Sequence, residues 1–313
     1  MNLAPIVLFV YNRPWHTEQT LNALALNNLA DKSVLYIYCD GPKKDASEES
    51  LKKINEVRQL VKAKKWCKEV IVIENVINLG LANSVIKGVT EVIEKHGSAI
   101  VLEDDIITGT YFLKFMNEGL AAYKNDQQVF GISAFKYPST NKIEKSTYFL
   151  PISSSWSYAT WSNRWSKVNF DGKELLKEID KKDLKKKINF GGYPFYEMLL
   201  NQVDNKVDSW AIRFYASMFL NNCMFLFPNT SLVQNIGFDA SGVHCGEDEF
   251  FSSINVSNEE VKVVKQEIIL NNKIVKLVKQ SFELQNLLNN GLSHKKFELA
   301  KKGKHIFRKF FKK

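Results

Sequence analysis

Ala99-Ile100-Val101-Leu102-Glu103-Asp104-Asp105 is a short apolar run that ends abruptly in three carboxylates. A continuous apolar run bounded by polar residues reads as a buried strand of a mostly parallel sheet, and such strands deliver functional groups at their carboxyl ends. Three adjacent carboxylates repel one another, so they are best tolerated where a divalent cation or a row of donors offsets the charge. The stretch reads as a ligand and metal site, against the plainer reading of a solvated acidic loop.

The chain on its amino-terminal side repeats the strand signal. Ile6-Val7-Leu8-Phe9-Val10 reads as a buried strand, and Asn12-Arg13-Pro14 turns into a helix with Leu21, Leu24, Ala25 and Leu29 on one face. Val34 to Cys39 is a second strand closing on Asp40-Gly41-Pro42. A charged helix carrying Leu51, Ile54, Arg58 and Val61, a strand near Val70 to Val76, a turn at Asn78-Leu79-Gly80-Leu81 and a helix ending at His96-Gly97 follow. Successive strand and helix units imply a Rossmann-like parallel sheet, whose right-handed crossovers put every strand's carboxyl end on one edge. Arg13, Asp40, Asn78 and Asp105 all fall at such ends, so residues distant in sequence converge on one crevice. Asp40 and Asn78 are also good turn residues in their own right.

Beyond Asp105 the pattern loosens. Phe112 to Tyr123 predicts an amphipathic helix, Val129 to Ser133 a strand and Thr147 to Leu150 a short strand. Trp156, Trp161 and Trp165 then fall within ten positions. A helix from Thr160 would place Trp161 and Trp165 on one face. Core packing is the default reading of these tryptophans, and a platform under a sugar ring is the functional one. Asp208-Ser209-Trp210 opens a further helix with Asp208 as its N-cap. Phe225 to Pro228 reads as a strand, and Gln234 to Cys245 as a glycine-rich loop able to fold over a ligand. Val261 to Leu270 suggests a strand and Lys273 to Leu288 a helix.

Composition narrows the class. At 313 residues, 45% hydrophobic and 12% aromatic, the chain is globular and could form one large domain or two. The net charge of +9 is concentrated in Lys181 to Lys187 and from Lys295 to Lys313. Such segments suggest an anionic surface nearby, but no zinc-finger spacing or repeated basic-aromatic pattern points to nucleic acid. Cys39, Cys67, Cys223 and Cys245 are scattered without a Cys-x-x-Cys pair, which suits a reduced, cytoplasmic protein. No signal-peptide pattern and no run of about 18 apolar residues is found, so the expectation is a soluble or peripheral protein.

Taken together, Pro5 to Pro14, Cys39-Asp40-Gly41, Asn78-Leu79-Gly80-Leu81-Ala82, Leu102 to Asp105, Asp208-Ser209-Trp210 and Gly242-Val243-His244 resemble nucleotide-sugar-dependent glycosyltransferases of the GT-A fold. The likeness is greatest to bacterial polysaccharide and O-antigen enzymes related to N-acetylglucosaminyltransferase I, and it covers about residues 5–244. It implies an α/β, GT-A (Rossmann-like), mostly parallel sheet flanked by helices. A nucleotide-sugar-binding half would span residues 1–133, an acceptor-side half 134–250, and a C-terminal extension with a basic tail 251–313. In that resemblance Asp105 binds Mn²⁺ or Mg²⁺ bridging a UDP-sugar diphosphate, and Asp104 contacts the donor, for which the strand must turn at the triplet. Glu103, Arg13 and Asn78 line the donor pocket, and Asp40 accepts from uracil. His244 lies over the diphosphate as a metal ligand or phosphate contact, and Asp208 is the general base of an inverting transfer. Trp156 and Trp161 are the candidate sugar platform. Glu247-Asp248-Glu249 has no counterpart in that pattern.

The implied partners are a UDP-sugar and a glycan or lipid-linked oligosaccharide acceptor in surface polysaccharide synthesis. The tail from His305 to Lys313 fits either the inner face of an anionic membrane or an ordinary basic helix. A sugar nucleotidyltransferase is the neighbouring alternative, but Tyr11-Asn12-Arg13-Pro14-Trp15 is not its glycine-rich phosphate loop. A non-catalytic glycan- or nucleotide-binding protein is the alternative from another class.

Overall fold

A computed structural model describes residues 3–137, 143–239 and 254–289. The amino-terminal half alternates strand and helix: β1 (Ile6–Val10), α1 (Pro14–Ala25), β2 (Val34–Cys39), α2 (Glu48–Lys62), β3 (Glu69–Glu74), α3 (Leu81–His96) and β4 (Ser98–Glu103). Then follow β5 (Ile106–Thr108), α4 (Phe112–Ala122), β6 (Val129–Ser133), β7 (Thr147–Leu150), β8 (Tyr158–Trp161) and α5 (Ser162–Trp165). The remainder comprises α6 (Gly172–Lys181), α7 (Lys185–Ile188), α8 (Phe195–Val203), α9 (Trp210–Leu220), β9 (Met224–Pro228), β10 (Val233–Asn235) and α10 (Asn272–Asn289).

The central sheet has eight strands in the order β3-β2-β1-β4-β8-β6-β9-β7, and β5 pairs with β10 in a separate antiparallel ribbon. β8 and β7 run against the other strands, so the sheet is mixed but mostly parallel. The parallel part follows from sequence: all five residues of β1 are buried, as a strand covered on both faces requires.

Alternate residues along these strands feed two cores. Val7, Phe9, Ala99 and Val101 join the side chains of α3 and α9 on one face, while Ile6, Leu8, Val10, Ile100 and Leu102 join those of α1, α2 and α4 on the other. At roughly 25 cal/mol per Å² of buried apolar surface, this two-sided burial is the main force holding the sheet between its helix layers. Strand order reverses at β1, whose neighbours are β2 on one side and β4 on the other. That switch point opens a crevice at the carboxyl ends of β1 and β4, and the acid triplet lies there.

Several local expectations change. Trp161 belongs to β8 and not to a helix, because the helical turn begins only at Ser162; Trp161 and Trp165 therefore share no helix face. The segment from Val261 to Leu270 is irregular apart from one bridge between Phe149 and Leu270. Cys39, Cys67 and Cys223 are buried free thiols. Among the described residues no helix is long and apolar enough to cross a membrane. His244, Cys245, Glu247-Asp248-Glu249 and the basic tail lie outside the described residues.

Candidate donor and metal site

Arg13 sits at the N-cap of α1, where its carbonyl accepts from Thr17 N at 3.0 Å and its side chain is free to reach across the crevice. The guanidinium pairs with both aspartates of the triplet. Nε donates to Asp104 Oδ2 at 3.3 Å, Nη2 donates to Asp104 Oδ1, and Nη2 also meets Asp105 Oδ2 at 3.0 Å. This is possible because β4 ends at Glu103 and the chain turns, so Asp104 and Asp105 face Arg13 together. A bidentate arginine is the cation best suited to such a buried acid pair. Thr20 Oγ1 holds the turn from below, donating to the Asp104 carbonyl at 2.8 Å.

Glu103 goes the other way. It continues the Val101 face, where Trp210 donates a side-chain hydrogen bond to it. Burial, reinforced by the charges of Asp105 and Asp104, pushes its pKa up to about 8, against the opposing pull of Arg13 and Trp210. Burial thus favours the neutral form of Glu103, and a neutral Glu103 relieves repulsion within the triplet. Burial also raises Asp104, with Arg13 pulling it back.

Asp105 Oδ1 is buried without a hydrogen-bond partner among the described residues. A lone buried carboxylate oxygen is costly unless something occupies it, and a hard divalent cation is the fitting occupant. Among the described residues no three metal-ligating side chains cluster. The Asp105 carboxylate, with Asp104 beside it, fits a hard cation that takes its other ligands from further oxygen donors.

The strap Ile236 to Asp239 closes over these acids. Ile236 N donates to the Asp105 carbonyl at 2.9 Å, extending the β5–β10 ribbon. Gly237 packs so closely that a Cβ there would stand 2.3 Å from Asp105 Oδ2. His16 Nε2 lies 3.0 Å from Asp239 Oδ2, and the ring of Phe238 lies 5.4 Å from that of Trp156.

Asp40 organises a neighbouring turn. Its Oδ1 accepts from Gly41 N and Leu79 N, each at 2.9 Å. Its Oδ2 accepts from Asn78 Nδ2 at 2.9 Å and Gly80 N at 3.0 Å. A carboxylate has about four acceptor sites, so its capacity is taken up by the protein's own turn. Asn78 is likewise engaged, with Asp40 and with the Gly41 carbonyl at 2.9 Å. Both residues shape the wall of the crevice.

Asp208 is not the N-cap of α9. Ser209 is, accepting from Ile212 N at 3.3 Å, because it is the residue immediately before the first helical position, Trp210. Asp208 is exposed instead, with Oδ1 bonded to Arg213 Nη2 at 3.1 Å and Oδ2 facing Gly80. The Trp210 bond to Glu103 ties this helix start to the end of β4, so Asp208 stands beside the same crevice.

Trp161 is not a platform. It is buried, its Nε1 donates to the Leu120 carbonyl at 3.2 Å, and the Arg164 guanidinium covers its ring at 4.3 Å. Trp156 is half-buried between Phe135 and Phe238 beside the strap. Gly237, His16 and Arg213 were not singled out from sequence. Gly237 had a signal in the glycine-rich loop; the other two act through contacts that no local pattern encodes.

No protein-family model and no curated protein matches the chain. Among solved structures, the chain is similar to S. aureus TarS (13% identity, 57% of this chain and 30% of that chain, TM-score 0.32). It is similar also to an active-site mutant of LgtC (9%, 69% and 70%, TM-score 0.35) and to mouse xyloside xylosyltransferase 1 (11%, 71% and 83%, TM-score 0.33). The chain thus spans about a third of TarS. At these scores the matches carry no functional argument, which rests on the site itself.

Proposed function

We propose that this chain is a metal-dependent, inverting glycosyltransferase of the GT-A type. It would take a UDP-sugar as donor and a glycan or lipid-linked oligosaccharide of surface polysaccharide synthesis as acceptor. The observation that carries this reading is the pairing of Asp104 and Asp105 with Arg13 across the β1–β4 switch point, with a buried Asp105 oxygen left over and an exposed aspartate, Asp208, beside the crevice. The uridine and the polysaccharide setting come from the sequence resemblance alone.

Asp105, with Asp104 beside it, would hold Mn²⁺ or Mg²⁺, which supplies charge neutralisation for the departing diphosphate. Arg13 orients both acids and adds positive charge where phosphate oxygens would sit. The strap at Gly237 and Phe238 excludes water from the acid side, which strengthens these interactions. Asp208 would take the proton of the acceptor hydroxyl as that oxygen attacks the anomeric carbon from the face opposite the diphosphate, inverting configuration. A single displacement needs one such base and no covalent intermediate. His244 and the basic tail remain candidates for a phosphate or metal contact and for attachment to the inner face of an anionic membrane.

The test is thermal unfolding with a panel of nucleotide sugars in Mn²⁺, since a ligand that binds only the native state raises its stability. A UDP-sugar should raise Tm in Mn²⁺ and much less in chelator, and Asp105→Ala should abolish the difference. Stabilisation by glycans but by no nucleotide sugar would favour a non-catalytic binding protein.

A further inference from the structure

Arg213 lies in the first turn of α9 and is almost wholly buried, an unusual place for a guanidinium without a purpose. Two of its nitrogens are spent on backbone. Nε donates to the Ser209 carbonyl at 3.0 Å and Nη1 to the Phe170 carbonyl at 3.2 Å. These bonds fix the plane of the group and leave Nη2 aimed outward, where it donates to Asp208 Oδ1 at 3.1 Å.

The two oxygens of Asp208 are thereby made unequal. Oδ1 is held, while Oδ2 makes no hydrogen bond among the described residues and faces Gly80, 3.9 Å from where a Cβ would stand. Gly80 has φ of +77°, a conformation open to glycine, and its N–H is fixed by Asp40. Because the Asp208 side chain is 58% exposed, its pair with Arg213 adds little to stability. What the pair does is restrict the direction of one carboxylate.

We propose that Arg213 is a positioning residue. It holds Asp208 by Oδ1 so that Oδ2 points into the gap beside the Asn78–Gly80 turn, where the acceptor hydroxyl enters. This rests on the reading of Asp208 as the base. In the step it serves, the acceptor O–H bond breaks as the oxygen bonds the anomeric carbon. The carbon–oxygen bond to the diphosphate breaks with its electron pair leaving on the nucleoside diphosphate, and the proton ends on Asp208 Oδ2.

The experiment is a double-mutant cycle on the full chain in Mn²⁺, following UDP release from a panel of UDP-hexoses with p-nitrophenyl glycosides as acceptors. Asp208→Asn should lower kcat about 100-fold or more, with donor KM within twofold of wild type. Arg213→Lys keeps the charge but loses the rigid fork, and should lower kcat about tenfold with donor KM unchanged. In the Asp208→Asn background the same change should cost less than twofold, because the group it positions is gone. Arg213→Gln repeats the cycle should the lysine variant unfold, with the urea midpoint followed in each case. A full tenfold loss in the Asp208→Asn background, or a raised KM with kcat intact, overturns the positioning role while leaving the base. Transfer that survives Asp208→Asn, or a wild type that releases UDP from none of the donors, removes the base and this inference with it.

Discussion

Arg13 Nη2 lies 3.0 Å from Asp105 Oδ2, joining the end of β1 to the end of β4 across the switch point of the sheet. The same nitrogen bonds Asp104, so one guanidinium compensates two carboxylates that are each less than a tenth exposed. Removing one partner of a buried ionic cluster leaves charge without compensation, at a typical cost of about 3–5 kcal/mol. Arg13→Ala should therefore lose about 3 kcal/mol in urea unfolding at neutral pH in chelator. Mn²⁺ should restore part of that loss by taking over the charge. A loss under about 1 kcal/mol would show that the acids are compensated by something else.

Glu103 supplies a pH test in the absence of metal. Its folded-state pKa is raised to about 8 by burial and by the neighbouring aspartates, above the ordinary carboxylate value it would have in the unfolded chain. A raised pKa means that the protonated form is favoured by folding. The stabilising contribution is therefore complete at pH below about 4.5 and is lost as pH rises through about 8. Glu103→Gln keeps an acceptor for the Trp210 indole and cannot ionise, so it should not show that loss. With Tm measured from pH 5 to 9 in chelator, the variant should gain on wild type as pH rises. A constant difference between the two curves would refute the assignment.

How far the site was readable from sequence depends on the range of the interactions involved. The alternation from β1 to β4 was legible because buried parallel strands must be apolar runs, and the turn at the acid triplet was expected if Asp104 was to reach a donor. At Asp208-Ser209-Trp210 the sequence points to Asp208 as the cap, one residue before Ser209, since Asp and Ser are equally good caps and only backbone geometry chooses between them. Trp161 carries two readings in sequence because a tryptophan at a strand-to-helix junction has the same local pattern whether it faces Leu120 or solvent. Asp40 shows the limit for a different reason. Its acceptor capacity is used by residues 38 to 40 positions away, which no local pattern encodes.

That crowding at Asp40 makes a prediction about stability rather than base recognition. Asp40→Ala removes the acceptor of three backbone N–H groups and of Asn78 Nδ2. Hydrogen bonds to a charged group are worth about 1.5–3 kcal/mol each, less where water can replace the lost partner. The net loss should be about 3 kcal/mol by urea unfolding, with any fall in donor affinity the same for uridine and guanosine sugars. A variant of unchanged stability that loses preference for uridine would restore the base-reading role.

Gly237 offers the sharpest test of the strap. A methyl group at this position would come 2.3 Å from Asp105 Oδ2, closer than any real contact, so either the strap or the acid must move. The strap is pinned on both sides of the glycine, by Ile236 N on the Asp105 carbonyl and by His16 with Asp239. Among the described residues the Asp105 carboxylate has Arg13 on its Oδ2 side and no partner on Oδ1, so it is the part more free to yield. Gly237→Ala should thus cost about 1–3 kcal/mol, as overpacking does, and should also weaken the rise in Tm that a UDP-sugar gives in Mn²⁺. Made in an Asp105→Ala background, where the Asp105 Oδ2 contact is gone and Arg13 Nη1 at 3.2 Å is the remaining close atom, Gly237→Ala should cost clearly less stability than it does in wild type, with no Mn²⁺ effect in either Asp105→Ala protein. If Gly237→Ala costs as much in the Asp105→Ala background as in wild type, the strap does not press on Asp105, and the strain lies elsewhere in the loop.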